Sequence, residues 1–287
     1  MIPSGFEYHA PSSLDEAVKL LAEHEDAKIL AGGHSLLPMM KLRFAEPAHL
    51  VDINSISELK GVREDGAVIR IGAMTTETEL IASPVIQEKC PLISDAAKLI
   101  ADPQVRNRGT IGGDIAHGDP GNDHPAIMMA LDASFVLTGA EGQRTVAANG
   151  FFLGTYWTQL EEAELLTEIQ VPAFGAGTGY GYHKLKRKTG DYATAAAAVV
   201  LQLEGERCSE IRIALTNVAP MAIRAEQAED LLRGQTLNEA LIEQAAAKVM
   251  EVCDPAEDLR GDAQYKTHMA AEMVRRSIRD ALVRTGG

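Results

Sequence analysis

Apolar positions along the chain fall into two spacings, one near 3.6 and one near 2. Leu14, Ala17, Val18, Leu20 and Leu21 share a helical face, and Ser13 with Glu16 three residues on is a capping-box start. Ala27-Lys28-Ile29-Leu30 predicts a short buried strand that enters Ala31-Gly32-Gly33-His34-Ser35. Ser35 then predicts a cap for a helix over 36–41, with Pro38 in its first turn, where a missing N–H costs little. Strands are expected over 49–53 and 67–72. Thr76-x-x-Glu79 is a second capping box. A helix over 91–100 should stop at Asp102-Pro103, because the residue before proline avoids the α region. His124-Pro125 opens a helix to Leu131, with Asp123 as its expected N-cap.

Gly139-Ala140-Glu141-Gly142 between apolar runs predicts a hairpin over 134–146, and a strand over 166–171 closes at Pro172. The glycine-rich stretch 174–179 breaks the composition and marks a domain boundary. Beyond it come two strands, 195–203 and 208–217, then helices over 224–233, 237–252 and 262–284. Helices and strands do not alternate as a doubly wound sheet requires, so the expected class is α+β.

Bulk composition narrows the classes. A chain of 287 residues with 46% hydrophobic and 24% charged content reads as globular and large enough for more than one core. No apolar run reaches the roughly 20 residues of a membrane span. The first residues carry neither a basic nor an apolar leader segment, so no secretory signal is expected. A net charge of −14 argues against nucleic acid, which needs a broad basic face. Cys90, Cys208 and Cys253 are scattered and unpaired in sequence, which suits a reducing compartment and inert buried thiols. They cannot supply the four thiolates of an iron–sulfur cluster.

Two glycine turns carry the chemistry: Ala31-Gly32-Gly33-His34-Ser35 and Thr110-Ile111-Gly112-Gly113-Asp114. Consecutive N–H groups in such turns form nests for anions, and Ser35 and Thr110 add hydroxyls. Together they suggest a dinucleotide clamped from two sides. Neither a Rossmann fingerprint nor a P-loop is present. The turn-rich Asp119-Pro120-Gly121-Asn122-Asp123-His124-Pro125 is equally a sugar-hydroxyl acceptor or a turn and helix cap. Lys184-Leu185-Lys186-Arg187-Lys188 is basic in an acidic chain, and Tyr192 follows it after Gly190-Asp191. The stretch reads as a solvated face, or as a positive wall with an aromatic that stacks on a planar ring. Eight histidines are dispersed without metal-binding spacing; His34 and His117 lie near the turns. No nucleophile–base pair is evident.

The run Ile29-Leu30-Ala31-Gly32-Gly33-His34-Ser35-Leu36, the run Thr110–Asp114 and the run Lys184–Ala195 resemble the FAD-binding subunits of the xanthine dehydrogenase family of molybdenum hydroxylases, and the likeness extends over essentially the whole chain. Within that family, Asp119–Asp123 and Lys184–Leu201 resemble the medium subunits of aerobic carbon monoxide dehydrogenases. The resemblance implies two N-terminal α+β subdomains, 1–55 and 56–176, with FAD between them. It implies a C-terminal α+β domain, 177–287, of antiparallel sheet and helices. The FAD is held non-covalently. Residues 29–36, Ala101 and Thr110–Asp114 would line it, with Asp123 near its sugar-phosphate part and Leu166, Lys184, Asp191 and Tyr192 near its ring.

No catalytic residue and no metal ligand is implied. A large molybdopterin subunit and a small subunit with two [2Fe–2S] clusters are the implied partners, in a dimer of heterotrimers. The complex would be cytoplasmic, touching the inner membrane face without an integral segment. Electrons would pass from cluster through FAD to a quinone. A purine, aldehyde or N-heterocycle complex, and a stand-alone nucleotide-binding regulatory module, are the other readings. One departure stands out: the family's Gly-Gly-Asn is here Gly-Gly-Asp114, and an ionised carboxylate only accepts hydrogen bonds.

Overall fold

The computed structural model describes residues 2–285. Its first sheet is small and parallel. Strands β1 (Glu7–His9), β2 (Ala27–Leu30) and β3 (His49–Asp52) pair in the order β1-β3-β2, joined by helices α1 (Leu14–Glu23) and α2 (Leu36–Leu42). Parallel pairing needs such crossovers. The overall class is α+β as expected, yet here strand and helix do alternate, because Glu7-Tyr8-His9 makes a strand that the apolar pattern does not mark. Ser13 caps α1 through the Glu16 N–H, but the Glu16 carboxylate turns to the N–H of Ser12 at 2.8 Å rather than back to Ser13. Ser35 does not cap α2: its backbone is already helical and its side chain makes no cap bond.

The second sheet is antiparallel in the order β4-β5-β10-β6-β7. Strands β4 (Val62–Asp65) and β5 (Val68–Gly72) come first. Six short helices follow: α3 (Glu77–Ala82), α4 (Pro84–Lys89), α5 (Pro91–Ala97), α6 (Pro103–Arg106), α7 (Ile111–His117) and α8 (His124–Ala130). They are short because prolines 84, 91 and 103 each start a helix and hold the residue before them out of the α region. Strands β6 (Ser134–Gly139) and β7 (Gly142–Ala147) make the expected hairpin. A small ribbon of β8 (Phe152–Gly154) and β9 (Trp157–Thr158) precedes β10 (Leu165–Pro172). The capping box of Thr76 and Glu79 forms in full. Asp123 does not cap α8; its backbone is helical and its carboxylate is engaged elsewhere.

The last sheet is antiparallel: β11 (Thr178–Leu185), β12 (Ala195–Glu204), β13 (Arg207–Thr216) and β14 (Ile223–Arg224). Helices α9 (Glu226–Leu232), α10 (Glu239–Glu251) and α11 (Ala263–Thr285) follow. The glycines after residue 174 are more than a linker. A methyl carbon on Gly179 would lie 2.0 Å from the Ala281 carbonyl oxygen, and one on Gly181 would lie 2.1 Å from that of Ser277. Glycine there lets α11 lie directly on β11. The wholly buried α8 packs in one core with Ala198, Val200 and Ala214 of the last sheet, so the second and third sheets are fused through apolar contact. Cys90 and Cys208 are buried and Cys253 half-buried, with burial pushing the latter two thiols up to about 11. No helix among the described residues is long and apolar enough to cross a membrane.

Candidate functional site

The two glycine turns meet. A methyl carbon on Gly32 would stand 2.3 Å from the Arg108 carbonyl oxygen, and one on Gly113 would stand 3.3 Å from Ala31 Cβ. Asn54 Nδ2 donates to the Ala31 carbonyl at 2.6 Å and ties the first turn to the end of β3. Gly33 takes a φ of +79°, a left-handed conformation that glycine adopts without strain.

The turns are not equivalent, which corrects the symmetrical clamp. Thr110–Asp114 is the cap and first turn of α7, and its N–H groups are already used. Ile111 donates to the Thr75 carbonyl at 3.1 Å and Gly112 to that of Ala73 at 2.9 Å. Gly113 donates to Thr110 Oγ1 at 3.2 Å. Its position is set from β10, where a bulge at Thr167 frees that residue's carbonyl to accept the Ala73 N–H at 3.0 Å. In the first turn, by contrast, the N–H groups of Gly32, Gly33, His34 and Ser35 make no hydrogen bond among the described residues. These are the donors an anion can use.

Beneath α7 lies a layer of buried charge. His124 Nε2 is 2.9 Å from Glu77 Oε2, with both side chains closed off from solvent. Burial opposes a charge on His124, but the Glu77 carboxylate outweighs it and raises the imidazole to about 9. Lys184 Nζ donates to Asp123 Oδ2 at 2.7 Å, their side chains 2% and 5% exposed. Tyr182 donates its hydroxyl to the other Asp123 oxygen, and burial with that carboxylate drives the phenol well above its usual range. Asp123 is therefore not a free acceptor, and Lys184 not a free cation.

Asp114 makes no ion pair in this layer. Part of the residue reaches the surface, but its Oδ2 is closed off and has no hydrogen-bond partner, and His124 Nδ1 is likewise closed off without one. Burial, with Glu77, Asp123 and Asp119 adding repulsion, raises the Asp114 carboxyl to about 7. Below that pH it is neutral and carries an O–H. A protonated carboxyl donates as an asparagine amide does.

Tyr192 is 45% exposed and lies against Gly121, with the Arg260 guanidinium 5.6 Å from its ring centroid. Asp191 holds this corner: it accepts from Arg260 at 2.8 Å and Arg187 at 3.0 Å. Those bonds, Arg260 first, pull its carboxyl down to about 2. Ala101, at a φ of +42°, touches Gly190, which brings the helix-rich segment to the same corner. Leu166 is buried in β10 beside the bulge. His34 caps back onto the Gly32 carbonyl at 3.0 Å, and His117 packs on Tyr156 with ring centroids 4.9 Å apart. Glu77, Thr167 and Arg260 complete the arrangement and were not marked by sequence, since each acts through a partner more than 40 residues away.

The residues present fit a dinucleotide: free N–H donors at Gly32–Ser35 for a pyrophosphate, and beside them a buried, unpartnered carboxyl oxygen at Asp114 for a sugar hydroxyl. Fold and site thus fit a dinucleotide-binding protein. Residues 4–174 match the family model described as the FAD binding domain in molybdopterin dehydrogenase, and residues 180–281 match the CO dehydrogenase flavoprotein C-terminal domain. The chain belongs to this family of FAD-binding oxidoreductase subunits.

The carbon monoxide dehydrogenase medium chain of Hydrogenophaga pseudoflava is 62% identical over 285 residues, covering 99% of each chain. That of Afipia carboxidovorans is 51% identical, again over 99% of each. A solved carbon monoxide dehydrogenase from Hydrogenophaga pseudoflava superposes with a TM-score of 0.98 at 64% identity, covering 99% of both chains.

Proposed function

We propose that this chain is the flavin-carrying medium subunit of a molybdenum enzyme that oxidises carbon monoxide. The observation that carries the reading is the unequal pair of turns, with free N–H groups on Gly32–Ser35 set against the fully bonded start of α7 and its buried Asp114. Full-length identity of 62% to a carbon monoxide dehydrogenase medium chain supports the choice of substrate for the complex. The chain divides into the units 1–55, 56–176 and 177–287, with FAD held non-covalently between the first two.

In this reading Gly32–Ser35 orient the pyrophosphate and Asp114 meets a ribityl hydroxyl. Leu166 and Tyr192 flank the ring. The Lys184–Asp123 pair fixes the wall beneath it and supplies dipole rather than net charge. When bound, FAD would supply the redox chemistry between the iron–sulfur clusters of a small subunit and an external acceptor such as a quinone. Oxidation of carbon monoxide takes place on a large molybdopterin subunit. The assembly is a cytoplasmic dimer of heterotrimers that touches the inner membrane face peripherally.

The test is the purified complex containing this chain. One FAD per chain by absorbance, and reduction of an artificial dye on addition of carbon monoxide, are expected. A complex without flavin overturns the cofactor assignment. Turnover with a purine or aldehyde but not with carbon monoxide overturns the substrate and leaves the flavin role standing.

A further inference from the structure

Three histidines that no sequence spacing relates come together away from the flavin site. His9 ends β1, His24 ends α1 as its C-cap, and His49 begins β3. In the parallel register Glu7 lies opposite His49 and His9 opposite Val51, so Glu7, His9 and His49 project from one face of the sheet. One ligand nitrogen from each histidine lies within 4.8 Å of the others. His9 Nε2 and His49 Nδ1 are 3.2 Å apart. That is close to the edge of a tetrahedron built on metal–nitrogen bonds of about 2.0–2.1 Å, roughly 3.3 Å. The His24 ring lies over both, with centroids 4.0 Å from His49 and 4.9 Å from His9. Glu7 Oε2 is 3.7 Å from His49 Nδ1.

The bond between His9 and His49 is the only side-chain hydrogen bond these three rings make among the described residues. Apart from the Glu7 contact with His49, no carboxylate or carbonyl among the described residues holds them in another role. Imidazole nitrogens with one carboxylate suit zinc, nickel or copper and not the hard ions calcium and magnesium.

We propose that His9, His24 and His49 form a binding site for a divalent transition ion of the zinc type, with the exposed Glu7 carboxylate at its rim. The site pins the C-terminal end of α1 to β1 and β3. It lies where β2 and β3 begin, whereas the first glycine turn leaves the other end of β2, so the ion acts on the stability of the first sheet and not on the flavin. The small apolar core under that sheet, built on Ala17, Val18, Val51 and Ile53, is where an added staple has most effect.

The test uses the full chain with its flavin, stripped with a chelator, desalted and titrated with Zn²⁺ and Co²⁺. One ion per chain is expected after gel filtration. The expected rise in melting temperature is about 5 °C at a hundredfold excess over the dissociation constant. His24→Gln and His49→Ala should each weaken retention at least tenfold while flavin content stays unchanged. Zinc-edge X-ray absorption of the loaded wild type is independent of any variant and should show three imidazole ligands at about 2.0 Å. A wild type that retains no ion, retention in either variant equal to wild type, or a spectrum with fewer than three imidazoles overturns the proposal.

Discussion

Asp114→Asn isolates one proton at the heart of the site. The substitution keeps the shape of the side chain and removes its titration. In the wild type the carboxyl moves from 3.8 to about 7 on folding, chiefly through burial. A folded value above the unfolded one means that stability is full below pH 3.8 and declines as the pH rises to about 7. Each unit corresponds to about 1.4 kcal/mol, so between pH 5 and pH 8 the wild type loses about 3 kcal/mol that the asparagine variant keeps.

His124, raised to about 9 in part by the Asp114 charge itself, loses stability between pH 6.5 and 9 in both proteins, and to a lesser degree in the variant. The expected result is a melting-temperature gap that widens in favour of Asp114→Asn by roughly 5 °C from pH 5 to pH 8. Flavin binding gives a second readout. If the bound state keeps the proton, wild-type FAD affinity falls about tenfold from pH 6 to pH 8, since recovering a proton one unit above the titration point costs about 1.4 kcal/mol. The variant's affinity stays flat. Scanning calorimetry and fluorescence titration of FAD measure the two quantities. A gap that does not change with pH, together with parallel affinity curves, would refute a neutral Asp114.

Gly112→Val drives a side chain into Ala73, whose Cβ and carbonyl oxygen lie 2.5 and 2.7 Å from the added carbon. A loss of about 1–3 kcal/mol with displacement of α7 and loss of FAD is expected, seen in the urea midpoint and flavin content. Gly33→Val instead places a β-branched residue at a φ of +79° and should lose FAD by reshaping the first turn. Lys184→Met leaves Asp123 charged and buried at a cost of about 3–5 kcal/mol, and adding Asp123→Asn should recover most of it; no recovery would contradict the pairing.

Asp191→Asn should destabilise by about 1–2 kcal/mol at pH 7, allowing for solvent around the half-exposed Arg187. Because the folded carboxyl titrates near 2, that difference should shrink as the pH falls below about 4, as urea midpoints at pH 3 and 7 will show. Arg108→Gln and Lys186→Gln should each weaken FAD binding about two- to fivefold and flatten its salt dependence, with Lys188→Gln neutral in the same titration.

The elements legible in sequence are those whose cause is local. Ser13 and Thr76 cap their helices through N–H groups three residues on, and Gly139 and Gly142 close a hairpin on each other. Strands β1 and β4 were missed because Glu7-Tyr8-His9 and Val62-Arg63-Glu64-Asp65 are mostly exposed and show no apolar alternation. Strand β11 was hidden for the opposite reason: Gly179 closes a glycine-rich stretch that reads as a domain boundary, and only the approach of α11, a hundred residues later, explains why it and Gly181 are strand positions. In the site, sequence found both turns but not their difference. Whether an N–H is free depends on whether Ala73 and Thr75 reach it, and that depends on a bulge at Thr167.

The same dependence on partners relocates the site's positive charge. The basic run 184–188 looks like a wall facing an anion, yet Lys184 is consumed by Asp123 and Arg187 by Asp191. The buried pairs Lys184–Asp123 and His124–Glu77 cancel internally, and below about pH 7 a protonated Asp114 adds no charge to the layer under α7. What remains near the turns is Arg106, Arg108 and Lys186, which make no ion pair among the described residues. Arg108 belongs to the segment that touches Gly32, and burial with Lys184 nearby lowers the Lys186 ammonium from its usual range. In a chain of net charge −14, two of the five residues of the basic run are thus spent in ion pairs, and Arg106, Arg108 and Lys186 are the cations left to set the local sign near the turns.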